Sequence, residues 1–434
     1  MGDVDRHDRR DGIDMTTDDT VTEKPDLEAF RTDAAAWLAE HLEPKPRSSG
    51  KRPWGVGSDS LAVFHQLTFE EERDLLQANL DWQQKKYDAG YGALTWPVEY
   101  GGRGLPGAYE RAFRREESRF VTPKAHETHS VSMGLVGNTL RVLGTPDLRE
   151  QFLRPLLRSE ILACQLFSEP GAGSDLAGLS TRAVRDGDDW VVSGQKIWSS
   201  GAQFSQWGEL LTRTNPDAPK HRGITAFMLD LSLPGVEVRP IKQMSGGSTF
   251  CEVFLTDVRI PDRYRIGEVD GGWKVALTTL GFERGGGGEA RGGTYRDVFE
   301  LAKWLGVTKD PVVRQELAEL YIGHHVLSLG ARRAAERHKA GLPPGPEGSI
   351  SKLLFTRQQS RVAETAAHLL GPRLAANTGE WGTFAWSSFL LGRVGNRIAG
   401  GSDEIQHNII GERVLGLPDE PRGDRDVAFK DIPR

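Results

Sequence analysis

Apolar residues recur at helical spacing through the first third of the chain. One such run comprises Phe30, Ala34, Trp37, Leu38 and Leu42. Asp26 stands where it could cap the helix that this run predicts. Similar patterns follow over residues 69–87, 108–120 and 133–143. We therefore expect an N-terminal helical domain over residues 24–160, preceded by a disordered tail over residues 1–23, which carries mixed charges and few large apolar residues.

The periodicity of the apolar residues changes after residue 160. Short apolar or β-branched runs alternate with turn residues, at 190–192, 209–212, 224–229, 236–238 and 251–255. This pattern is typical of strands joined by turns, so it predicts a middle antiparallel β-domain over residues 161–270. Helical spacing returns over residues 312–339 and 349–370, which predicts a C-terminal helical bundle over residues 271–418. The charged tail over residues 419–434 is expected to be loosely held.

Helix, sheet and helix in this order predict an α+β fold. The 434 residues suffice for two or three domains with a sizeable core. A net charge of −6 argues against a nucleic-acid binder, and no apolar stretch approaches the ~18 residues of a membrane span. The two cysteines, Cys164 and Cys251, are too few for a disulfide scaffold and fit a reducing, cytoplasmic location.

Two segments of the middle region carry candidate chemistry. Residues 165–175 (QLFSEPGAGSD) could bring backbone N–H groups to an anion or to a flavin edge, although a plain β-turn is the more common reason for such a loop. Residues 194–201 (GQKIWSSG) set the flat ring of Trp198 beside two hydroxyls at a strand end. Taken alone, Trp198 is more readily explained as a core residue than as a cofactor platform.

Together, the two segments resemble the acyl-CoA dehydrogenases. Three further segments resemble the same family, namely residues 94–102 (LTWPVEYGG), 398–406 (IAGGSDEIQ) and 408–416 (NIIGERVLG). The resemblance covers about residues 25–418, and its motifs are specific as a set. It implies the three-domain fold of that family, with FAD bound between the β-domain and the C-terminal helices. It also implies FAD-dependent α,β-dehydrogenation of an acyl-CoA thioester.

The resemblance assigns ligand contacts to the matching positions. The residues expected to contact FAD are Gln165, Leu166, Ser168, Gly173, Ser174, Trp198, Ser199, Ser200, Ser402 and Glu404. The residues expected near the substrate are Ser174, Arg284 and Gly401. The family often has Thr where Ser168 and Ser200 stand, and the hydroxyl is kept at both positions.

The expected reaction moves the α-proton of the acyl group to Glu283 and its β-hydride to flavin N5. Many family members carry the catalytic glutamate where this chain has Gly400, which cannot accept a proton. Another branch carries it early in the C-terminal helices, where Glu283 and Arg284 match. The backbone N–H of Gly400 would then stabilise the charge that grows on the thioester oxygen. A surface Glu–Arg pair at a helix start is the alternative interpretation of residues 283 and 284.

Departures from the family pattern bear on assembly and activity. An arginine segment that reaches the FAD of a neighbouring subunit in many members is replaced here by residues 302–310, which lack Arg. We expect a homo- or hetero-oligomer, dimer or tetramer, with an electron-transfer flavoprotein as the electron acceptor. A non-catalytic or half-site subunit of a hetero-oligomer and a flavin oxidase remain open alternatives. No metal site is predicted, because His126 and His129 come without a third ligand at a suitable spacing.

Overall fold

The computed structural model describes residues 25–46, 61–285, 293–342, 345–376, 383–421 and 423–433. The predicted disordered tail over residues 1–23 lies outside the described residues. The predicted α+β fold is confirmed, because helices come first, a sheet follows and helices return.

Helices build the N-terminal region. Their bounds are α1 Leu27–His41, α2 Phe69–Asp88, α3 Gly107–Glu117, α4 Glu127–Ser130, α5 Asn138–Leu143 and α6 Pro146–Arg158. A π-helical stretch, Val131–Gly137, joins α4 to α5. Asp26 caps α1 as the sequence predicts, since its carboxylate accepts from two backbone N–H groups of the first turn. Thr68 and Glu71 form a reciprocal capping box that begins α2.

The strands of the middle region join into one mixed sheet. Their bounds are β1 Ala163–Leu166, β2 Arg182–Asp186, β3 Asp189–Ser200, β4 Trp207–Arg213, β5 Ile224–Asp230, β6 Val236–Ile241, β7 Phe250–Pro261 and β8 Arg265–Ile266. The order along the sheet is β6-β7-β3-β2-β4-β5-β8, and β1 pairs with β4. The antiparallel prediction is wrong for the β1–β4 and β2–β4 pairs, which are parallel. The glycine-rich loop and the β2–β3 hairpin separate β1 from β4, and a connection of that length lets β4 run alongside β1 in the same direction.

The C-terminal region is again helical. Its bounds are α7 Gly272–Gly285, α8 Tyr295–Trp304, α9 Pro311–Lys339, α10 Gly348–Leu370, α11 Thr383–Ile398 and α12 Asp403–Ile409. A π-helical stretch, Ile410–Val414, continues α12. The two long helical patterns of the sequence are confirmed as α9 and α10. None of the described helices combines the length and the apolar composition that a bilayer crossing requires.

One apolar cluster joins the three regions and seats α7 on the sheet. Its most buried members include Phe152, Leu153, Leu211, Met228, Val275 and Ala276, from α6, the sheet and α7. Each of these side chains is at most 1% exposed. A fully buried Val, Leu, Met or Phe side chain contributes about 1.5–3 kcal/mol. The cluster therefore fixes the position of α7, the helix that carries Glu283.

Residues 423–433 pack against the sheet, which differs from the loosely held tail that the charged sequence predicts. Ala428 pairs with Pro219 in an isolated antiparallel bridge. Phe429 is buried, and the guanidinium carbon of Arg213 lies 3.9 Å from its ring centroid. A cation over a desolvated aromatic face is attracted to the ring by about 2 kcal/mol or more. Burial of one aromatic side chain therefore holds this segment in place despite its many charged residues. Composition alone does not show that a surface for that side chain exists.

A buried ion pair holds the glycine-rich loop against β3. Lys196 is fully buried, and its ammonium donates to a carboxylate oxygen of Glu169 at 2.8 Å and to the carbonyl of Phe167 at 3.1 Å. The backbone N–H groups of Ser180 and Thr181 also donate to Glu169. Burial alone would raise the pKa of Glu169, but Lys196 and these donors outweigh burial and lower the pKa to about 2. The carboxylate is therefore ionised and well partnered at neutral pH.

We expect Lys196→Met to destabilise the protein by about 3–5 kcal/mol, because it leaves the Glu169 carboxylate buried without its cation. The double variant Lys196→Met/Glu169→Gln should recover most of that loss, since it also removes the unpaired charge. Urea unfolding of the parent and both variants measures the difference. Equal losses in the single and double variants would contradict this account of the ion pair.

The ion pair between Lys196 and Glu169 also makes part of the free energy of unfolding depend on pH. The folded pKa of Glu169, about 2, lies below its ordinary value of 4.5. The stabilisation is therefore present above pH 4.5 and is lost as the pH falls towards 2.

Candidate active site

Two segments that lie far apart in the sequence meet at Gly400. Glu283 lies in the last turn of α7, and Gly400 lies in the turn between α11 and α12. An ideal Cβ built on Gly400 would stand 3.2 Å from Glu283 Oε1. The two residues that the sequence assigns to catalysis therefore lie side by side, and the Glu283 side chain is exposed to an incoming ligand.

The backbone at Gly400 suits glycine for a reason beyond space. Its φ is +64°, and φ at Gly401 is +88°. These values lie in the left-handed region that favours glycine. A larger side chain at position 400 would be strained and would crowd the carboxylate of Glu283. The two glycines thus let the chain turn sharply while the space beside the carboxylate stays open.

Lys352 is a member of this site that the sequence did not reveal. Its Nζ lies 3.6 Å from the ideal Cβ position of Gly400. The ammonium donates to the carbonyl of Ala399 at 2.5 Å and to that of Gly401 at 3.4 Å. Burial lowers the pKa of Lys352, and the charges of Glu283 and Asp403 act in the opposite direction. Lys352 belongs to no motif, because it reaches the site from α10 through the fold alone.

The other acidic residues near the turn have different roles. Asp403 is buried and accepts from Arg397 Nε at 2.7 Å and from Thr356 Oγ1 at 3.0 Å, so its oxygens are engaged in fixing α12. Glu404 is exposed in the first turn of α12. Arg284 belongs to α7, but its side chain lies outside the described residues. Among the three carboxylates, Glu283 is the one whose oxygen lies at Gly400.

The predicted cofactor loop meets the start of α12. Ser174 Oγ donates to Ser402 Oγ at 3.5 Å, although 228 positions separate the two residues. Ser402 also caps α12, since its hydroxyl accepts from the N–H of Ile405. The structure therefore brings together the glycine-rich loop of the middle region and the C-terminal turn that contains Gly400 and Gly401.

Trp198 is turned outward by an irregularity in β3. The β3–β7 register shifts between Lys196 and Ser199, and Trp198 has φ of +62°, which is unusual for a bulky residue. The indole is 57% exposed and packs edge-on against Phe250 with 6.0 Å between ring centroids. The interpretation of Trp198 as a core residue is therefore wrong. Its strained backbone and exposed ring suit a surface that receives a flat ligand.

The two serines after Trp198 lie in different environments. Ser199 is 1% exposed, and its hydroxyl has no partner among the described residues. Ser200 is half-buried at the end of β3. Gly201 follows with φ of +65°, and a Cβ there would overlap the side chain of Thr128. The close approach of Thr128 explains why glycine stands at this position.

The remaining predicted cofactor residues divide between core and surface. Leu166 is fully buried in the sheet, so only its backbone is available to a ligand. Gln165 and Ser168 are half-buried, and the carbonyl of Ser168 accepts from the N–H of Ile197, which ties the loop to β3. No heavy atom of the described residues lies within 4 Å of an ideal Cβ on Gly173. Internal packing does not explain that glycine, whereas a ligand close to the backbone does, and FAD fits this arrangement.

His126 belongs to a His–Glu–His cluster that the sequence pattern did not reveal. Nε2 of His126 and Nε2 of His65 each lie 3.1 Å from the same oxygen of Glu72. Burial would raise the pKa of Glu72, but the two imidazoles lower it to about 2. Nδ1 of His126 accepts from the N–H of Thr128, so the ring proton lies on Nε2 and points at Glu72. This tautomer suits a hydrogen-bonded cluster that supports Thr128, and not a metal ligand.

Comparisons with known proteins agree with this architecture. The N-terminal domain of acyl-CoA dehydrogenases matches residues 65–160, the middle domain matches residues 164–258 and the C-terminal domain matches residues 270–415. Among curated proteins, acyl-CoA dehydrogenase IpdE1 of Mycobacterium tuberculosis (strain ATCC 25618 / H37Rv) is 37% identical over 403 residues, which cover 92% of this chain and 100% of that protein.

Solved structures give the same result. The ChsE4-ChsE5 complex from Mycobacterium tuberculosis has 27% identity and a TM-score of 0.68, over 92% of this chain and 100% of that chain. The Tcur3481-Tcur3483 steroid ACAD has 26% identity and a TM-score of 0.69, over 92% of this chain and 99% of that chain. Since all three domains match and a curated relative aligns over its entire length, the chain belongs to the acyl-CoA dehydrogenase family.

Proposed function

We propose that the chain catalyses FAD-dependent α,β-dehydrogenation of an acyl-CoA, with Glu283 as the base that takes the α-proton. The contact between Glu283 and Gly400 carries this proposal, because an accessible carboxylate stands beside a backbone turn whose N–H can bind an oxygen atom. A general base of this kind contributes about 10²–10⁴-fold to the rate.

The loop of residues 165–175 and the end of β3 would hold FAD. The backbone of the loop and the hydroxyl of Ser200 offer hydrogen bonds, and the exposed ring of Trp198 offers a flat surface. Ser199 is buried, so only its backbone would be available to FAD. Bound FAD would supply the acceptor for the β-hydrogen and its electron pair. Ser402 would approach the same ligand from the start of α12, since its hydroxyl already contacts Ser174.

The turn at Gly400 would polarise the thioester. Its N–H would donate to the carbonyl oxygen of the substrate, which makes the α-proton more acidic, and such donors are worth about 2.7–4 kcal/mol. Lys352 fixes this turn through the carbonyls on both sides of Gly400. The charge of Glu283 also acts to raise the pKa of Lys352, so the ammonium and the carboxylate attract each other.

We further propose a steroid-derived acyl group and a hetero-oligomeric assembly. One similar structure is a steroid ACAD, and two similar structures carry paired names. Exposed apolar side chains on the C-terminal helices support an interface: Val312, Ile322, Val326, Leu329, Leu391, Val394 and Ile398. The absence of Arg from residues 302–310 favours a related partner over a second identical copy.

An electron-transfer flavoprotein is the proposed electron acceptor, because the resemblance to the acyl-CoA dehydrogenases implies one. A cytoplasmic location is proposed from Cys164 and Cys251, which are both free thiols in the structure.

We expect Glu283→Gln to slow flavin reduction by a steroid-derived acyl-CoA by about 10²–10⁴-fold, because an amide cannot accept the proton. Anaerobic stopped-flow absorbance of the FAD-loaded protein measures this rate. Glu300→Gln is the matched control, since Glu300 is an exposed glutamate on α8 that pairs only with Lys303 in the described contacts. A Glu283→Gln rate within a few-fold of the parent would refute the base assignment.

Lys352→Met should lower kcat and move the acid limb of the kcat/KM profile to higher pH by about one unit, because the cation that favours the carboxylate is lost. Lys352→Arg keeps the charge and should keep the limb near its parent position. Initial rates of the parent, Lys352→Met and Lys352→Arg between pH 5 and 9 measure this shift. An unmoved limb in Lys352→Met would show that the ammonium does not act on the base.

Ile322→Asp should weaken assembly, because it puts a charge into an apolar stripe with Val326 and Leu329 on α9. Val184→Asp is the control, since Val184 on β2 is similarly exposed but lies away from the C-terminal helices. Native mass spectrometry of the protein, alone and co-expressed with a related dehydrogenase subunit, reads out subunit composition and FAD content. Unchanged assembly of Ile322→Asp in both samples would exclude α9 from the interface.

A further inference from the structure

A carboxyl group is buried between the sheet and α7 with no charged partner among the residues that the structure describes. Glu209 on β4 is 0% exposed and lies on the face of the sheet that carries Leu211 and packs against Val275 and Ala276. Its Oε1 lies 2.6 Å from Thr279 Oγ1 on α7. Its Oε2 has no hydrogen-bond partner among the described residues. Buried carboxyl groups normally have a cation or several donors, so this arrangement needs an explanation.

Glu209 connects β4, the strand that pairs with β1, to the helix that carries the proposed base. In the sheet register, it stands opposite Gln165 on β1 and Met228 on β5. Thr279, its partner on α7, lies one helical turn before Glu283. The Thr279 hydroxyl also lies 2.8 Å from Thr139 Oγ1 on α5. The hydroxyl of Thr279 on α7 therefore links Glu209 on β4 with Thr139 on α5.

The hydrogen bonds around Thr279 can all form at once when Glu209 carries a proton on Oε1, and Oε2 stays without a partner among the described residues. The carboxyl O–H then donates to Thr279, and the Thr279 hydroxyl donates to the Val275 carbonyl at 3.1 Å. The Thr139 hydroxyl supplies the second donor to Thr279. Without the proton on Glu209, the single Thr279 hydrogen must serve either the carboxylate or the carbonyl. A neutral carboxyl thus satisfies the network, whereas a carboxylate leaves it one hydrogen short.

Burial favours this neutral form. It raises the pKa of Glu209 to about 8, and the hydrogen bond from Thr279 opposes that rise only in part. Thr279 from α7 contacts Glu209, and Thr139 from α5 contacts Thr279. Gln165 from β1 and Met228 from β5 are the register neighbours of Glu209 in the sheet. None of them titrates or carries a charge near neutral pH. No described cation compensates the charge when Glu209 ionises.

We propose that Glu209 is a positioning residue whose neutral carboxyl locks α7 to the sheet and thereby holds Glu283 at Gly400. The second half of this statement rests on the proposed function, whereas the lock between Glu209 and Thr279 stands independently of it. The lock is set when Glu209 is protonated and is released as the pH rises through the titration of that carboxyl.

The lock has a defined effect on stability. The folded pKa of Glu209 lies above its ordinary value of 4.5. Its contribution is therefore fully present below pH 4.5 and is lost as the pH rises to about 8. Glu209→Gln keeps the shape and a neutral donor, so the thermal midpoint of the parent should fall relative to that of Glu209→Gln across this range. Parallel pH profiles of the two proteins would overturn the proposal.

Activity of the FAD-loaded enzyme tests the positioning. Glu209→Leu and Thr279→Val should lower kcat about 10- to 100-fold with little change in KM, because the base is displaced from the substrate. Glu209→Gln should restore kcat to within about twofold at pH 7 and should remove the loss of activity above pH 8. Thr278→Val is the matched control, since its hydroxyl bonds only within α7, to the Lys274 carbonyl.

The outcomes separate the two proposals. Two results would overturn the positioning role. One is a kcat of folded Thr279→Val equal to that of the parent. The other is a loss of activity above pH 8 that persists in Glu209→Gln. If Glu209→Leu does not fold, Thr279→Val and Glu209→Gln decide the question. If the parent oxidises no acyl-CoA while its thermal midpoint still shows the Glu209 titration, the proposed function fails and the lock stands.

Discussion

The seating of α7 on the middle sheet is the constraint on which the candidate site depends. Val275 and Ala276 anchor the helix in the shared apolar cluster, and Glu283 then projects from its last turn. A helix is rigid over one or two turns, so the position of the carboxylate follows from that packing. The approach of Glu283 to Gly400 is thus a consequence of tertiary structure, because the two residues lie in segments that are far apart in the sequence.

Different interactions set the two halves of the site. Apolar burial holds α7, and we propose that a neutral hydrogen-bond network between Glu209 and Thr279 holds it as well. The cofactor side depends on a buried charge pair, since Lys196 and Glu169 tie the loop to β3. Apolar packing is non-directional, whereas hydrogen-bonded charges are directional. Apolar packing is suited to holding the helix α7 against the sheet. Directional hydrogen bonds are suited to fixing the orientation of the loop backbone.

Much of the fold could be predicted from the sequence, because helical and alternating periods differ clearly. The long patterns over residues 312–339 and 349–370 became α9 and α10 with almost the same bounds. The parallel pairing of β1 with β4 could not be predicted, since register depends on contacts distant in sequence. Phe429 is a similar case, because its ring is buried against Arg213 at the end of β4 and beside the loop that follows β4.

The candidate site was predicted through motifs, and residues outside motifs were missed. Glu283, Gly400 and Ser174 lie in recognisable segments, and the structure places Glu283 beside Gly400 and Ser174 beside Ser402. Their roles stay predictions. Lys352 and Glu209 lie within an ordinary helix and an ordinary strand. A single acidic residue in an apolar strand was the one available signal for Glu209.

The most direct test is a crystal structure with FAD and an unreactive acyl-CoA analogue bound. The account predicts the Glu283 carboxylate within hydrogen-bond reach of the α-carbon substituents and the Gly400 N–H at the thioester oxygen. A different acid at the α-carbon, or a substrate bound away from Gly400, would contradict it.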